Sequence, residues 1–398
     1  MAGANSSYTY EAEGNKEDVS DIIVNISPDE NLLINKFGRV DVTAVKHEWL
    51  TDDLRPAKTN KQLEKASFTS QDTYARRRMS NNVQHFMAGY FVTDAQEKAA
   101  KYGVKSEISY QMVKASKETA RDLEFTVLLS NAVTDAATAT EPTMGGVKYF
   151  NETASLHSAT VSTGHATNAG ILTVSANHSF HVGEQVTVYV ASSGATIMTG
   201  TGITDCFTAF IGNTSSNTFT AAGTTFCLYA TPQDAMNVTG ALTWTVSGST
   251  TAAISVTTGH IVKADGSITE THVNDMMQKL WTRGGNPDIA LMSGKRKREI
   301  SAWTAGVQKT KDMENKKLSS IVDIYESDFG VIELVPHRQA LNSRIEFLEL
   351  QYWKLGYYIP FHVEDTPRSG TFTEKSIVGS VTLENKCPVA NGSIIGIS

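Results

Sequence analysis

The sequence predicts an α+β protein interrupted by an inserted all-β domain, and three observations carry that prediction. Residues 104–133, and a shorter stretch around 273–281, repeat apolar side chains at helical spacing. Short runs near both ends of the chain alternate instead with the period of a strand. The third observation is a break in composition. From Tyr149 to Val262, 114 residues, there is no Lys or Arg and there are only four acids: Glu152, Glu184, Asp205 and Asp234. All 35 basic residues therefore lie in the two flanking segments. A Thr-, Ser-, Gly- and Ala-rich block of such different character reads as an insertion, expected over 151–262.

The totals set the outer limits. At roughly 150 residues per folding unit, 398 residues make two or three units. A formal net charge of −7 argues against wrapping nucleic acid through overall charge. No run of 18 apolar residues exists, so no membrane span is expected. The polar, acidic start from Met1 to Gly14 is not a secretory signal. Cys206, Cys227 and Cys387 lie far apart, which points to a reducing compartment and away from a disulfide framework.

Residues 1–44 hold short apolar groups that end at Gly38, too few for a core of their own. They are expected to be an arm, either frayed or ordered by docking on something else. His47–Leu50 reads as a strand, and Phe86, Ala88, Tyr90 and Val92 line one face of a second. The polar connection Arg55–Ala75 lacks a short turn signal and reads as a disordered loop or as a long hairpin lying on a neighbouring molecule. Within 104–133, Ile108, Met112, Ala115 and Thr119 form one line and Val113, Ala120, Leu123 and Val127 an adjacent one. Pro142 and Gly145-Gly146 close that region.

In the middle block, strands are expected at Ile171–Ala176, Gln185–Val190, Cys206–Ile211, Asn217–Ala221, Ala241–Val246 and Ala253–Thr257, the pattern of a small sandwich or barrel. Beyond it, Val273, Met276, Met277, Leu280 and Trp281 mark an amphipathic helix, capped by Thr269 or Thr271 and stopped by Gly284-Gly285. A buried strand at Ile289–Met292 and a short helix near Glu299–Val307 follow. Strands are then expected at Ile321–Tyr325, Val331–Val335, Ile345–Leu350, Leu355–Ile359 and Ile377–Leu383.

Motifs for chemistry are few. Asp328-Phe329-Gly330 matches a kinase triplet by its letters, but without the other kinase motifs it reads as a hairpin turn. His178 and His181 make an HxxH, for which His157, His165 and Glu184 cannot be placed as further ligands. Asp52-Asp53 offers no recognisable acid–base geometry. GxSxG, HExxH and Walker A patterns do not occur. No enzymatic activity, cofactor or metal is therefore expected. Two basic runs remain, Arg76-Arg77-Arg78 and Lys295-Arg296-Lys297-Arg298. They can meet phosphate, pair with carboxylates across a subunit contact, or face solvent. All seven are candidate inter-subunit contacts. An arm combined with a long hairpin is the anatomy of a subunit that interlocks with copies of itself.

The flanking segments resemble the major capsid proteins of tailed bacteriophages. The matching residues are Ser20-Asp21-Ile22-Ile23-Val24-Asn25-Ile26-Ser27-Pro28-Asp29-Glu30 and His47-Glu48-Trp49 in the first half. In the second half they are Gly284-Gly285-Asn286-Pro287-Asp288, Tyr325 through Gly330, Tyr352-Trp353-Lys354-Leu355, and the closing run from Glu374 to Asn385. The resemblance implies a Hong Kong 97-like fold. It implies an N-terminal arm over 1–44, an extended loop over 45–92, and a peripheral domain with a spine helix over 93–150. After the insertion, 263–368 would be mainly the axial domain, with peripheral strands near 319–338, and 369–398 the last peripheral strands.

The function implied is an icosahedral head shell of hexamers and pentamers in the virion, assembled in the host cytoplasm. It would enclose double-stranded DNA without reading its sequence. Scaffolding, portal and decoration proteins would be separate partners, with no membrane involved, and the insertion would project outward. Lys58, Lys61 and Lys65 lie in the loop, but no partner for a covalent crosslink can be matched to them. The alternative is a surface or tail-associated adhesin that binds glycans through the β insertion.

Overall fold

A computed structural model describes residues 31–52, 54, 61, 64–65, 76–99, 104–130, 132–137, 140–152, 260–303, 324–368 and 370–398, and between 153 and 259 nine strands with residues 230, 235 and 242. Helix α1 (Leu32–Lys36) and strand β1 (Gly38–Asp41) come first, then β2 (Lys46–Thr51), β3 (Arg77–Asn82) and β4 (Gln84–Thr93). Helices α2 (Asp94–Lys98), α3 (Glu107–Leu129) and α4 (Val147–Glu152) follow. The nine strands are β5 (Ser158–Thr160), β6 (Thr167–Asn168), β7 (Ile171–His178), β8 (Gln185–Val190), β9 (Met198–Thr199), β10 (Cys206–Gly212), β11 (Gly223–Tyr229), β12 (Trp244–Val246) and β13 (Ile254–Thr257). The chain then forms β14 (His260–Gly266), α5 (Glu270–Thr282), β15 (Ile289–Met292), α6 (Gly294–Trp303), β16 (Ile324–Ser327) and β17 (Gly330–Pro336). It ends with β18 (Ile345–Leu348), β19 (Trp353–Asp365), β20 (Phe372–Asn385) and β21 (Gly392–Ile397). The described residues fall into two units, the smaller built from 86–121 and 361–379 and the larger from the rest.

The larger unit is organised by a six-stranded mixed sheet in the order β14–β21–β18–β15–β17–β16. Helix α5 lays its apolar stripe on this sheet. Val273, Met276, Met277 and Leu280 join Ile332, Leu334, Ile345, Phe347 and Ile394 in one buried cluster. Trp281, expected in that stripe, is 60% exposed and tilts against Phe329 at 5.8 Å. At the start of α5 the Thr269 N–H donates to His272 Nδ1 at 3.2 Å. At its end Gly284 turns to φ +81°, its N–H reaches Trp281 O, and the Gly285 N–H reaches Leu280 O, both at 2.9 Å. This double bond pattern satisfies the last carbonyls of the helix and requires a residue tolerant of positive φ.

One sheet holds β16, β17 and β21 together with β15 and β18. Of the strands expected in the peripheral part, β16, β17 and β21 thus lie beside β15 and β18, whereas β20 lies in a different sheet together with β19. Leu291 and Val335 pair directly across parallel strands, a join between distant parts of the sequence that no local pattern announces.

A second sheet has the order β1–β19–β20–β4. Within the larger unit β1 runs parallel to β19, with Gly38 opposite Lys354 and Asp41 opposite Tyr357. Neighbouring side chains fill the space over Gly356, where a Cβ would fall 2.5 Å from Val42 Cγ2 and 2.8 Å from Thr382 Cγ2. Phe37 stacks on Trp353 at 5.6 Å with 11° between the rings, and Phe150 meets the same indole edge-on at 5.8 Å. Residues 31–44 are thus docked on their own chain, because Leu33, Phe37 and Val42 are all buried there. This corrects the boundary of the expected arm. Residues 1–30 lie outside the described residues.

Helix α3 is shorter than the expected 104–133. Ser106 Oγ accepts the Ser109 N–H at its start, and beyond its end the Ser130 carbonyl takes N–H groups from Gly146 and Tyr149. Ala115, Thr119, Leu123 and Val127 are buried as the pattern predicts, whereas Met112 and Val113 are exposed. In the smaller unit β4 turns Phe86 and Val92 inward as expected.

Between 153 and 259 the strands form a six-stranded sheet, β5–β13–β8–β10–β11–β7, and a three-stranded one, β6–β12–β9. Val186, Val188, Ala209 and Ile211 are buried within the first. The expected strand at Asn217–Ala221 lies outside the described residues, and β11 was not anticipated. No described helix is long and apolar enough to cross a membrane.

Phe37→Ala removes a ring from a filled aromatic stack. It is expected to cost about 3 kcal/mol, read as a lower urea midpoint at unchanged slope.

Candidate assembly surfaces

Strands β2 and β3 form an antiparallel ladder from Lys46 opposite Asn82 to Thr51 opposite Arg77. Alternation sorts its side chains into two faces. On the inner face Trp49 Nε1 donates to Asn385 O at 3.0 Å, and His47 Nε2 lies 3.4 Å from Glu384 Oε2. Asn81, fully buried, donates to the carbonyls of Gly145 and Leu383 and accepts the Gly145 N–H, standing in for a stretch of backbone. Asn82 donates to Thr134 O and Asp135 Oδ1, both at 2.8 Å. The base of the hairpin is therefore bonded into the larger unit at Asn81 and Asn82. Its outer face carries Glu48, Leu50 and Arg78, and the exposed Leu54 lies just beyond β2.

The seven basic candidates separate sharply. Arg78 reaches Glu48 at 3.2 Å and Arg76 reaches Asp52 at 3.7 Å, both pairs exposed and within one chain. Arg77 is buried. Lys295 and Arg298 face outward on α6. Arg296 is only 1% exposed: its Nε donates to Asn342 O at 2.5 Å, its NH1 to Glu299 at 2.6 Å and its NH2 to Ser398 O at 2.8 Å. Lys297 Nζ donates to Leu334 O at 2.6 Å. Arg296 is thus no surface contact, since each of its three nitrogens is bonded within its own chain.

Asp328-Phe329 is the two-residue loop of the β16–β17 hairpin, with Ser327 opposite Gly330 and Gly330 at φ +150°. The side chain of His178 and the positions of His157, His165, His181 and Glu184 lie outside the described residues. The loop lysines are likewise not placed in any site.

Two buried ionic groups that composition did not single out hold the larger unit together. Glu124 of α3 has no exposed surface; its carboxylate accepts the N–H groups of Leu33 at 2.7 Å and Ile34 at 3.1 Å, and His337 Nε2 lies 3.0 Å away. A negative charge at the first turn of α1 satisfies donors the helix cannot pair itself. Arg344 binds Glu346, Glu152 at 2.5 Å and Ser393 Oγ at 3.2 Å, while Asn151 donates to Glu346 at 2.7 Å. Burial pulls the Arg344 proton affinity down, but Glu346 and Glu152 outweigh it and hold the guanidinium above its ordinary value.

The smaller unit shows the opposite economy. Met87 and Phe91, on the outward face of β4, are 78% and 67% exposed, and Tyr110, Met112 and Val113 of α3 are exposed as well. Leu50, Ile324 and Val331 add apolar surface on the larger unit. Large apolar side chains gathered at a surface mark places where other molecules bind. A legible signal was present: β4 carries apolar residues at odd as well as even positions, so both faces look for cover.

A scan of family models matches the SU10 major capsid protein family over residues 4–239 and 228–398. Among solved structures, the cyanophage A-1(L) capsid subunit is similar at 11% identity and TM-score 0.57, covering 98% of both chains. A subunit from the capsid of a native GTA particle is similar at 10% identity and TM-score 0.52, covering all of both chains. At such identities these structures speak for the fold, a Hong Kong 97-like capsid fold. A search of curated protein sequences found no match.

Glu124→Gln keeps the shape but loses the charge. It is expected to destabilise the chain by about 3 kcal/mol and to remove amide-exchange protection at Leu33 and Ile34. Arg78→Ala, at an exposed pair, is expected to change stability by less than about 1 kcal/mol.

Proposed function

The chain belongs to the SU10 major capsid protein family, and from that premise we propose how it builds its shell. Its role is that of a major capsid protein, a structural subunit that associates with copies of itself and resides in the virion. The family is not a family of enzymes. Neither the family match nor the capsid folds lend support to the adhesin alternative.

The proposal concerns the parts. Subunits gather into hexamers and pentamers, with residues 1–30 and the tip of the β2–β3 hairpin reaching over neighbours. The six-stranded sheet with α5 serves as the axial part, and α3 with the β1–β19–β20–β4 sheet as the peripheral part. The insertion projects outward. Scaffolding, portal and decoration proteins are separate chains, the enclosed genome is double-stranded DNA held without sequence reading, and assembly takes place in the host cytoplasm. Arg76, Arg78, Lys295 and Arg298 remain the basic groups available to a neighbour.

The observation that carries this reading is the apolar surface of the smaller unit, Met87 and Phe91 above all. Repeated many times over a closed shell, modest contacts of this kind sum to a stable particle. The test is electron microscopy of the purified chain beside a Met87→Asp, Phe91→Asp double variant. Uniform polyhedral particles are expected from the first. The second should keep its circular dichroism and sediment as small species; intact particles from it would remove that surface from the contact.

The insertion is tested separately, with cuts chosen from the structure. Asn151, Glu152 and His260 are bonded or packed into the body, so residues 153–259 are replaced by a Gly–Ser linker. Particles are expected to form still. Their loss, with the remaining chain folded, would make the insertion part of the shell itself.

A further inference from the structure

The chain leaves the body of the larger unit after Glu152 and returns at His260, the first residue of β14. His260 is buried at that return. The surroundings are tight: a Cβ on Gly392 would lie 2.6 Å from Met276 Sδ and 3.1 Å from His260 Cβ. Two cations, Lys279 of α5 and Arg283 just past its end, act on the ring. Each also grips a backbone carbonyl at the seam. Lys279 Nζ donates to Ile261 O at 3.2 Å, and Arg283 NH1 donates to Gln185 O at 2.9 Å. Gln185 opens β8, so Arg283 ties the body to the insertion.

No carboxylate stands ready to balance a further charge among the described residues. On α4 and β18, Glu152 and Glu346 are already engaged by Arg344. β21 contributes Ser393 and no ionisable group, and the turn before it contributes the Val389 backbone. β8 and β10 carry no Asp, Glu, Lys, Arg or His. On α5 itself Asp275 is exposed, and His272 is occupied at the helix start; on β14 the other ionisable groups are Lys263 and the acid of the turn-side end.

We propose that His260 is an acid-operated release for the insertion. A proton on its ring puts a third positive charge beside Arg283 and Lys279, and the strain is relieved when the start of β14 and Arg283 part from β8. Burial holds the closed ring's pKa at about 3, Arg283 and Lys279 push the same way, and the Val389 backbone opposes them weakly. An opened ring titrates near its ordinary value of about 6.5, so the open form binds the proton first. The closed seam is therefore fully favoured above that pH and weakens as pH falls toward 3. At pH 5 the ratio of open to closed rises about thirtyfold.

Hydrogen exchange on the unassembled full chain, corrected for intrinsic rates, reads this directly. Between pH 7.5 and 5, protection of 185–190 and 260–266 is expected to fall about thirtyfold, while that of 289–292 holds. In His260→Gln the fall is expected to vanish. Unchanged protection in the natural chain, or an equal fall in the variant, overturns the proposal. Should His260→Gln not fold, the ring of His260 followed by NMR in the natural chain decides instead. It is expected to stay neutral at pH 5, and a ring titrating near 6.5 in the closed protein overturns the idea. The readout needs no particle, so it stands apart from the shell reading.

Discussion

A charge that the larger unit takes out of water needs a matching partner, and Glu124 shows how far that requirement reaches. One carboxylate on α3 gathers the first turn of α1 and the His337 ring, three distant parts of the sequence. Left unmatched, a buried charge costs several kcal/mol, so these segments hold their places together or not at all. Asn81 does the same for the hairpin base, and Arg344 for the junction of α4 with β18 and β21. The result is a body in which the buried charges of Glu124, Arg344 and Arg296 are matched within the chain. The exposed Met87, Phe91, Leu50, Ile324 and Val331 add apolar surface, from whose burial association draws free energy.

The elements that could be read from sequence are those whose signals are local and complete. Helix α5 has its stripe, its start and its glycine stop within sixteen residues or so of one another, and the structure reproduces all three apart from Trp281. The Asp328-Phe329 turn was equally plain. Residues 31–44 were misjudged because the surface that orders them, Trp353 and β19, lies at the other end of the chain. Arg296 was misjudged for the same reason. A run of four basic residues says nothing about which member will turn inward to Asn342 and Ser398. On a helix the four point in different directions, and only packing selects among them.

Surface and interior also trade roles along single elements. Helix α3 has buried Leu123, Glu124, Val127 and Leu128 near its end, yet Met112 and Val113 stand exposed near its start. Its two apolar lines are continuous in sequence, so the pattern records cover for the whole length while one chain supplies it only for part. A subunit designed for company carries that mismatch as a record of the neighbours it expects.

The parallel pairing of β1 with β19 has a consequence for synthesis. A ribosome exposes Gly38–Asp41 long before Trp353 and Lys354 exist, so this strand and the Phe37 ring wait unpaired until more than three hundred further residues have been made. A polypeptide released early lacks the docking strand altogether and cannot seat its own leading segment. Products that stop short of β19 thereby lack the seat for β1, a dependence built from nothing more than strand order.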